Sequence, residues 1–224
     1  MKTIVISLGG SVLFSDDVDV NYFKKLSVLL NKFVNDHKFF LIIGGGKISR
    51  KYIEIGRKLG FNEKILDDIG INITRINAKI LLNTIKNSNN IVPKSINKAI
   101  KMDYDIVIMG GSKTGHSTDY VGAILSSKTN ANKFIIATNV DGVYDKDPNK
   151  YKNTKKIDEI NILELINKYG TTWKKAGSNV VIDGPSLKII YKNKIPTYVL
   201  NGKKLDELEK AILDKKFNGT IIKN

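Results

Sequence analysis

The chain has 224 residues, 42% hydrophobic and 26% charged, with no cysteine and two histidines; this is enough apolar material for one domain, and it excludes disulfides, thiolate nucleophiles and cysteine-ligated metals. The net charge of +15 comes from lysine spread along the chain, without a basic arm or interleaved aromatics, so it reads as a solvated surface suited to a phosphate-bearing small substrate rather than to nucleic acid. No apolar run approaches the roughly 18 residues of a membrane span, and Met1 leads directly into a strand-like segment, so a cytoplasmic protein is expected, with no membrane partner.

The first element is the β-branched run Thr3–Leu8, closed by Gly9-Gly10, and apolar residues at helical spacing follow from Asp19 to Asn35. The pattern repeats with Phe39–Ile43, the triple glycine Gly44 to Gly46, and a helix from Lys47 to Leu59 that stops at Gly60. A long helix is expected over Ile65–Ile85, then a strand over Asp105–Met109 before Gly110-Gly111, a loop to Thr118, a helix over Asp119–Lys128 and a strand over Lys133–Thr138. The last third reads as a lysine-rich loop (Lys146 to Lys156), a helix near Ile162–Lys168 and an unassigned stretch from Gly170 to Ile182. A helix over Pro185–Lys192, the strand Thr197–Leu200, a turn at Asn201-Gly202, a helix to Leu213 and a terminal strand at Thr220–Ile222 complete it. Fully apolar strands alternating with helices predict an α/β fold: a mainly parallel sheet covered on both faces, with ligands outside the carboxyl ends of its strands.

Three glycine clusters each follow an apolar strand, so a parallel sheet would bring them to one edge. Glycine lets backbone N–H groups approach a ligand closely, and helix N-termini favour phosphate. Neither a P-loop nor the dinucleotide-binding G-x-G-x-x-G is present, and the protein-kinase motifs are missing. Phosphoryl transfer needs positioning and charge more than covalent help, so glycine loops with a Lys, an Arg and a few Asp suffice for it. Arginine occurs only at positions 50, 57 and 75, which reserves the planar guanidinium for one stretch of the chain.

Ser7-Leu-Gly-Gly-Ser11, Gly44-Gly-Gly-Lys-Ile-Ser-Arg50, Ser117-Thr-Asp119 and Thr138-Asn-Val-Asp-Gly-Val-Tyr-Asp-Lys-Asp-Pro148 together resemble the amino-acid-kinase superfamily. Arg50-Lys-Tyr52, Asp67–Ile71 and Ile182-Asp-Gly-Pro185 are similar to its archaeal-type uridylate kinase branch. The resemblance implies a single-domain αβα sandwich over residues 1–224, transfer of the γ-phosphate of ATP to UMP in pyrimidine biosynthesis, Mg²⁺ carried with ATP, and a homohexamer. Composition implies none of these by itself. A relative with another acceptor, such as isopentenyl phosphate, and a nucleotide-binding protein without turnover are the alternatives. The hydroxyls of residues 112–118, and Lys47 where the isopentenyl phosphate branch has a histidine, favour a nucleotide acceptor.

By position, the resemblance places Ser7, Leu8, Gly9, Gly10 and Ser11 in the first phosphate loop, Gly46 and Arg50 on the ATP side, and Thr138, Asn139, Tyr144 and Asp147 around the ATP nucleoside. Gly45, Asp67 and the loop Ser112, Lys113, Thr114, Gly115, His116, Ser117 and Thr118 fall to UMP, with His116 a polar contact rather than a base. Asp67 would hold the ribose, although an acid in the first turn of a helix also complements the dipole; Asp119 would organise the catalytic lysines, although alone it reads as an N-cap. Ser7 departs from the lysine that many superfamily members carry there. Lys47 is the expected substitute, with Arg50 and Asp119 completing the catalytic set and Lys188 a weaker candidate. No metal site built from side chains is expected.

Overall fold

The computed structural model describes residues 1–15, 18–148, 150–172 and 181–224. In chain order the elements are β1 (Lys2–Leu8), α1 (Gly10–Leu13), α2 (Val20–Asn31), β2 (His37–Ile43), α3 (Gly46–Lys58), α4 (Glu63–Leu82), α5 (Ile96–Ile100), β3 (Ile106–Met109), α6 (Thr118–Lys128), β4 (Lys133–Thr138), β5 (Val143–Tyr144), β6 (Lys156–Ile157), β7 (Glu159–Asn161), α7 (Ile162–Tyr169), α8 (Gly184–Lys192), β8 (Thr197–Asn201), α9 (Leu205–Ile212) and β9 (Gly219–Lys223). Most of the stretch from Gly170 to Ile182 lies outside the described residues. Among the described residues no helix is long and apolar enough to cross a membrane.

Seven strands form one sheet in the order β3-β2-β1-β4-β8-β9-β7, and β5 and β6 make a separate two-stranded ribbon. Every pairing in the sheet is parallel except β8 with β9. The period-2 alternation of a strand sends Ile4, Ile6 and Leu8 of β1 into one core and Val5 into the other. The first core is closed by α1, α2, α4 and α9, the second by α5, α6, α7 and α8. Burial on both faces is why these strands are apolar at nearly every position, and it gives the αβα sandwich that the alternating pattern predicts.

Local chemistry sets the ends of the helices. Asn62 accepts from the Ile65 amide at 3.0 Å, so α4 begins at Glu63, two residues before the expected start. The helix expected to run to Asn35 stops at Asn31, because the Phe33 carbonyl turns to accept from the Asp36 and His37 amides. Asn161 and Glu164 form a reciprocal capping box that starts α7. At the carboxyl ends of β1, β2, β3 and β4 the chain enters the segments that carry nearly all of the predicted site residues.

Candidate active site

The first two glycine clusters interlock. A Cβ on Gly10 would lie 2.0 Å from the Gly46 nitrogen, and one on Gly44 would lie 2.4 Å from the Gly10 nitrogen. Only bare backbone allows this approach, and Gly46 additionally sits at φ +68°. The Gly44 amide donates to the Leu8 carbonyl at 2.9 Å, while the buried Asn77 of α4 donates to the Gly44 and Gly45 carbonyls at 2.9 and 3.2 Å. The third cluster behaves differently. A Cβ on Gly110 would strike the backbone of Thr74 and Arg75 at 2.7 Å, so here glycine serves close packing of the β3 end against α4.

The interlocked loops wall a cavity of about 260 Å³. It is lined by Ser7, Gly9, Gly10, Ser11, Gly45, Gly46, Arg50, Asp67, His116, Ser117, Thr118, Asp119, Thr138 and Asn139 among the expected residues. An adjoining cavity of about 240 Å³ shares Thr138, Asn139 and Val181 with it and adds Tyr144 and Asp147. Tyr144 is set there by the ribbon, where it pairs with Lys156; Lys168 of α7 donates to the Asp145 carbonyl at 2.8 Å and ties the ribbon down. The remaining expected residues stand apart from both linings. Leu8 is fully buried in the core and meets the loops through its carbonyl. Ser112 to Gly115 lie outside the cavity walls, with Lys113, Thr114 and Gly115 exposed. Lys47, in the first turn of α3, and Lys188, on α8, are exposed and line neither cavity.

Two neighbouring carboxylates, each accepting from a different serine, line the cavity. The Ser7 hydroxyl donates to Asp119 at 2.6 Å, and the Ser117 hydroxyl donates to Asp183. Ser117, not Asp119, is the N-cap of α6: its oxygen accepts from the Tyr120 amide at 2.9 Å. Asp119 is therefore free of the capping role and faces the cavity from the helix's first turn. Asp183 caps α8 through the Ser186 amide and also accepts from the Ser186 hydroxyl, both at 2.8 Å. Burial pushes the Asp119 carboxyl up to about 7, the neighbouring Asp183 charge adds to the rise, and the Ser7 hydroxyl opposes it. Burial and the Lys113 charge hold His116 below the usual imidazole range against the pull of Asp183, which suits a neutral polar contact. Asp67 lies in the second turn of α4, beyond the acidic residue of the first turn, Glu63; its carboxylate accepts from the Gly115 amide at 2.7 Å.

Several structural partners of this site escape a reading by motif. Thr74 accepts from the Gly111 amide at 2.7 Å, Arg75 grips the carbonyls of Gly111 and Ser112, and Asn77 holds the triple glycine. Asp183 had a legible signal in the Asp-Gly-Pro helix start, since a capping residue just before an early-turn proline marks an N-terminus. Nothing in the spacing of Thr74, Arg75 and Asn77 on an amphipathic helix sets them apart from its other polar residues.

A mainly parallel sheet flanked by helices, with two glycine loops meeting at its carboxyl edge and two adjoining cavities beside Asp119 and Asp183, is an α/β architecture whose site is suited to phosphoryl transfer. Residues 2–201 match the model of the amino acid kinase family, and the chain belongs to that family. It is 38% identical over 222 residues to a uridylate kinase of Methanobrevibacter smithii, covering 98% of each chain, and 40% identical over 226 residues to one of Methanocaldococcus jannaschii, again covering 98% of each. The crystal structure of uridylate kinase from Archaeoglobus fulgidus superposes with a TM-score of 0.86 at 37% identity, covering 99% of this chain and 100% of that one.

Proposed function

We propose that the chain is an ATP-dependent nucleoside monophosphate kinase that moves the γ-phosphate of ATP to UMP, giving ADP and UDP. The observation that carries the reading is full-length likeness: relatives 38 to 40% identical over 98% of both chains are named uridylate kinase, and the likeness includes both interlocked loops. The ATP nucleoside takes the cavity of Thr138, Asn139, Tyr144 and Asp147, its phosphates run along Gly9 to Ser11 and Gly46, and UMP enters from Gly45, Asp67 and the 112–118 loop. The moving phosphoryl then crosses between the loops, where backbone N–H groups and the Arg50 guanidinium meet its charge and hold donor and acceptor in line.

Mg²⁺ belongs with this activity, neutralising phosphate charge during transfer. Mg²⁺ takes one or two carboxylates beside phosphate oxygens and water. The donor set fits that habit: Asp67, Asp119 and Asp183 line the cavity, and among the described residues no group of three or more acids or histidines is placed to hold a metal by itself. Pyrimidine nucleotide biosynthesis and the cytoplasm are the setting the activity calls for. Assembly into a homohexamer is part of the same reading; Ile48, Tyr52, Ile55 and Leu59, exposed on the outer side of α3 and at its C-terminal end, are the apolar surface at which self-association can be tested.

Chromatography of reactions containing ATP, Mg²⁺ and one acceptor tests the reading, with UMP, CMP, dUMP, AMP and isopentenyl phosphate as acceptors. UDP formed with clear preference over the CMP and AMP products is the expected outcome. Phosphorylation of isopentenyl phosphate instead, or no product from any acceptor, would overturn it.

A further inference from the structure

We infer that Arg75 is a positioning residue for acceptor recognition, an inference resting on the reading that residues 112–118 meet UMP. The guanidinium donates through Nε to the Gly111 carbonyl at 3.2 Å and through Nη2 to the Ser112 carbonyl at 2.8 Å. These are consecutive carbonyls at the base of the loop, and a planar fork with donors in fixed relation can take both, whereas a lysine ammonium is a single point. The chain is basic almost entirely through lysine. Of its other two arginines, Arg50 lines the cavity and Arg57 pairs with Glu63 at the surface. At position 75 the fork is used on backbone, half-buried where α4 meets the chain leaving β3.

The same helix holds the loop at two further points. Thr74 accepts from the Gly111 amide at 2.7 Å, and Asp67 accepts from the Gly115 amide at 2.7 Å. Asp67 and Arg75 are eight residues apart on α4, about two turns, so one rigid element grips both the base and the far side of the loop. Between the grips only Lys113 and Thr114 are left exposed at the tip. Asp67 also lines the cavity, so the loop that reads the base and the carboxylate that meets the ribose are held in one register by α4. Removing the Arg75 fork releases the base of the loop without touching the ATP trough.

Arg75→Ala and Arg75→Lys, compared with wild type, decide the matter. Both should raise KM for UMP on the order of tenfold, as expected for losing one charge-assisted hydrogen-bonded group, and lower the preference for UMP over CMP, with KM for ATP within about twofold of wild type. Wild-type behaviour in Arg75→Lys, or an equal rise in both KM values, would overturn the assignment and leave Arg75 a fold-supporting residue. Hydrogen exchange at the 111–117 amides reads the clamp independently of turnover: exchange faster on the order of tenfold in either folded variant supports it, and unchanged exchange overturns it. A wild-type protein that forms no UDP would sink the proposed activity alone, and the exchange result would still decide the clamp.

Discussion

At Asp119 the carboxyl is raised from its ordinary 3.8 to about 7, and the groups that share its surroundings are Asp183, Arg50, Asp67 and His116. A raised carboxyl means that the native protein binds more protons than the unfolded chain between those two values, so this group's contribution to stability falls as pH rises through about 4 to 7 and is level above that. Stability relative to Asp119→Asn, followed by urea midpoint, is expected to decline across that window; parallel midpoints would show that the carboxyl is ionised throughout. Turnover should move the opposite way, because an aspartate that organises cations acts as the anion, and the acid limb should be missing from the residual activity of Asp119→Asn. A second residue-scale test concerns charge. Among the described residues Arg50 is the only lysine or arginine lining the central cavity, while Lys47 stands outside it. Arg50→Ala should therefore cost about 10²–10³ in kcat, the loss typical of one preorganised donor at a charge-stabilising site. Lys47→Ala should cost less than about tenfold. The reverse order in steady-state kinetics would restore Lys47 as the substitute for the lysine missing at Ser7.

At the scale of elements, the two phosphate loops are one device, since Gly10 and Gly46 occupy space that a methyl group would need. Gly10→Ala would place its Cβ 2.0 Å from the Gly46 nitrogen, and that neighbour is backbone, which cannot rotate away. Overpacking of this kind costs about 1–3 kcal/mol or more, so the variant should melt earlier and lose ATP binding together; normal ATP affinity would mean that the loops separate easily. That interlock was half legible. Strand ends followed by glycine placed both loops at one edge, because buried parallel strands are apolar throughout and their boundaries are sharp. The same reasoning sets Gly110-Gly111 beside them; Gly111 does line the central cavity, whereas Gly110 instead lets β3 meet α4, a distinction that depends on tertiary approach and leaves no mark in composition. The short elements were missed for a related reason. The four residues of α1, the five of α5 and the two-residue strands of the ribbon are too brief for periodicity to register, and it is the long-range pairing of Val143 with Ile157 that positions Tyr144.

For the whole molecule, the outer side of α3 carries a run of exposed apolar side chains. Ile48, Tyr52 and Ile55 are 45 to 53% exposed and Leu59, just past the helix, is 67% exposed, with Phe61 and Ile65 also open nearby. Their spacing of four, three and four residues makes one stripe along the helix, whereas the buried side of α3 has only Ser49, Ile53 and Gly56. The +15 charge disfavours indiscriminate association between copies, so the proposed assembly would need a specific contact, and an apolar stripe of this kind is able to pair with itself around a twofold axis. Since Gly46 and Arg50 belong to the same helix, such pairing would also brace the phosphate loop. Ile55→Glu puts a charge in the middle of the stripe without entering the core, so it should reduce the mass found by sedimentation equilibrium by about half or more while far-ultraviolet circular dichroism stays native. Val28→Glu, at an exposed position of α2, is the control and should leave the mass unchanged. A wild-type protein that sediments as a monomer, or an Ile55→Glu variant of undiminished mass, would exclude the stripe as the assembly contact.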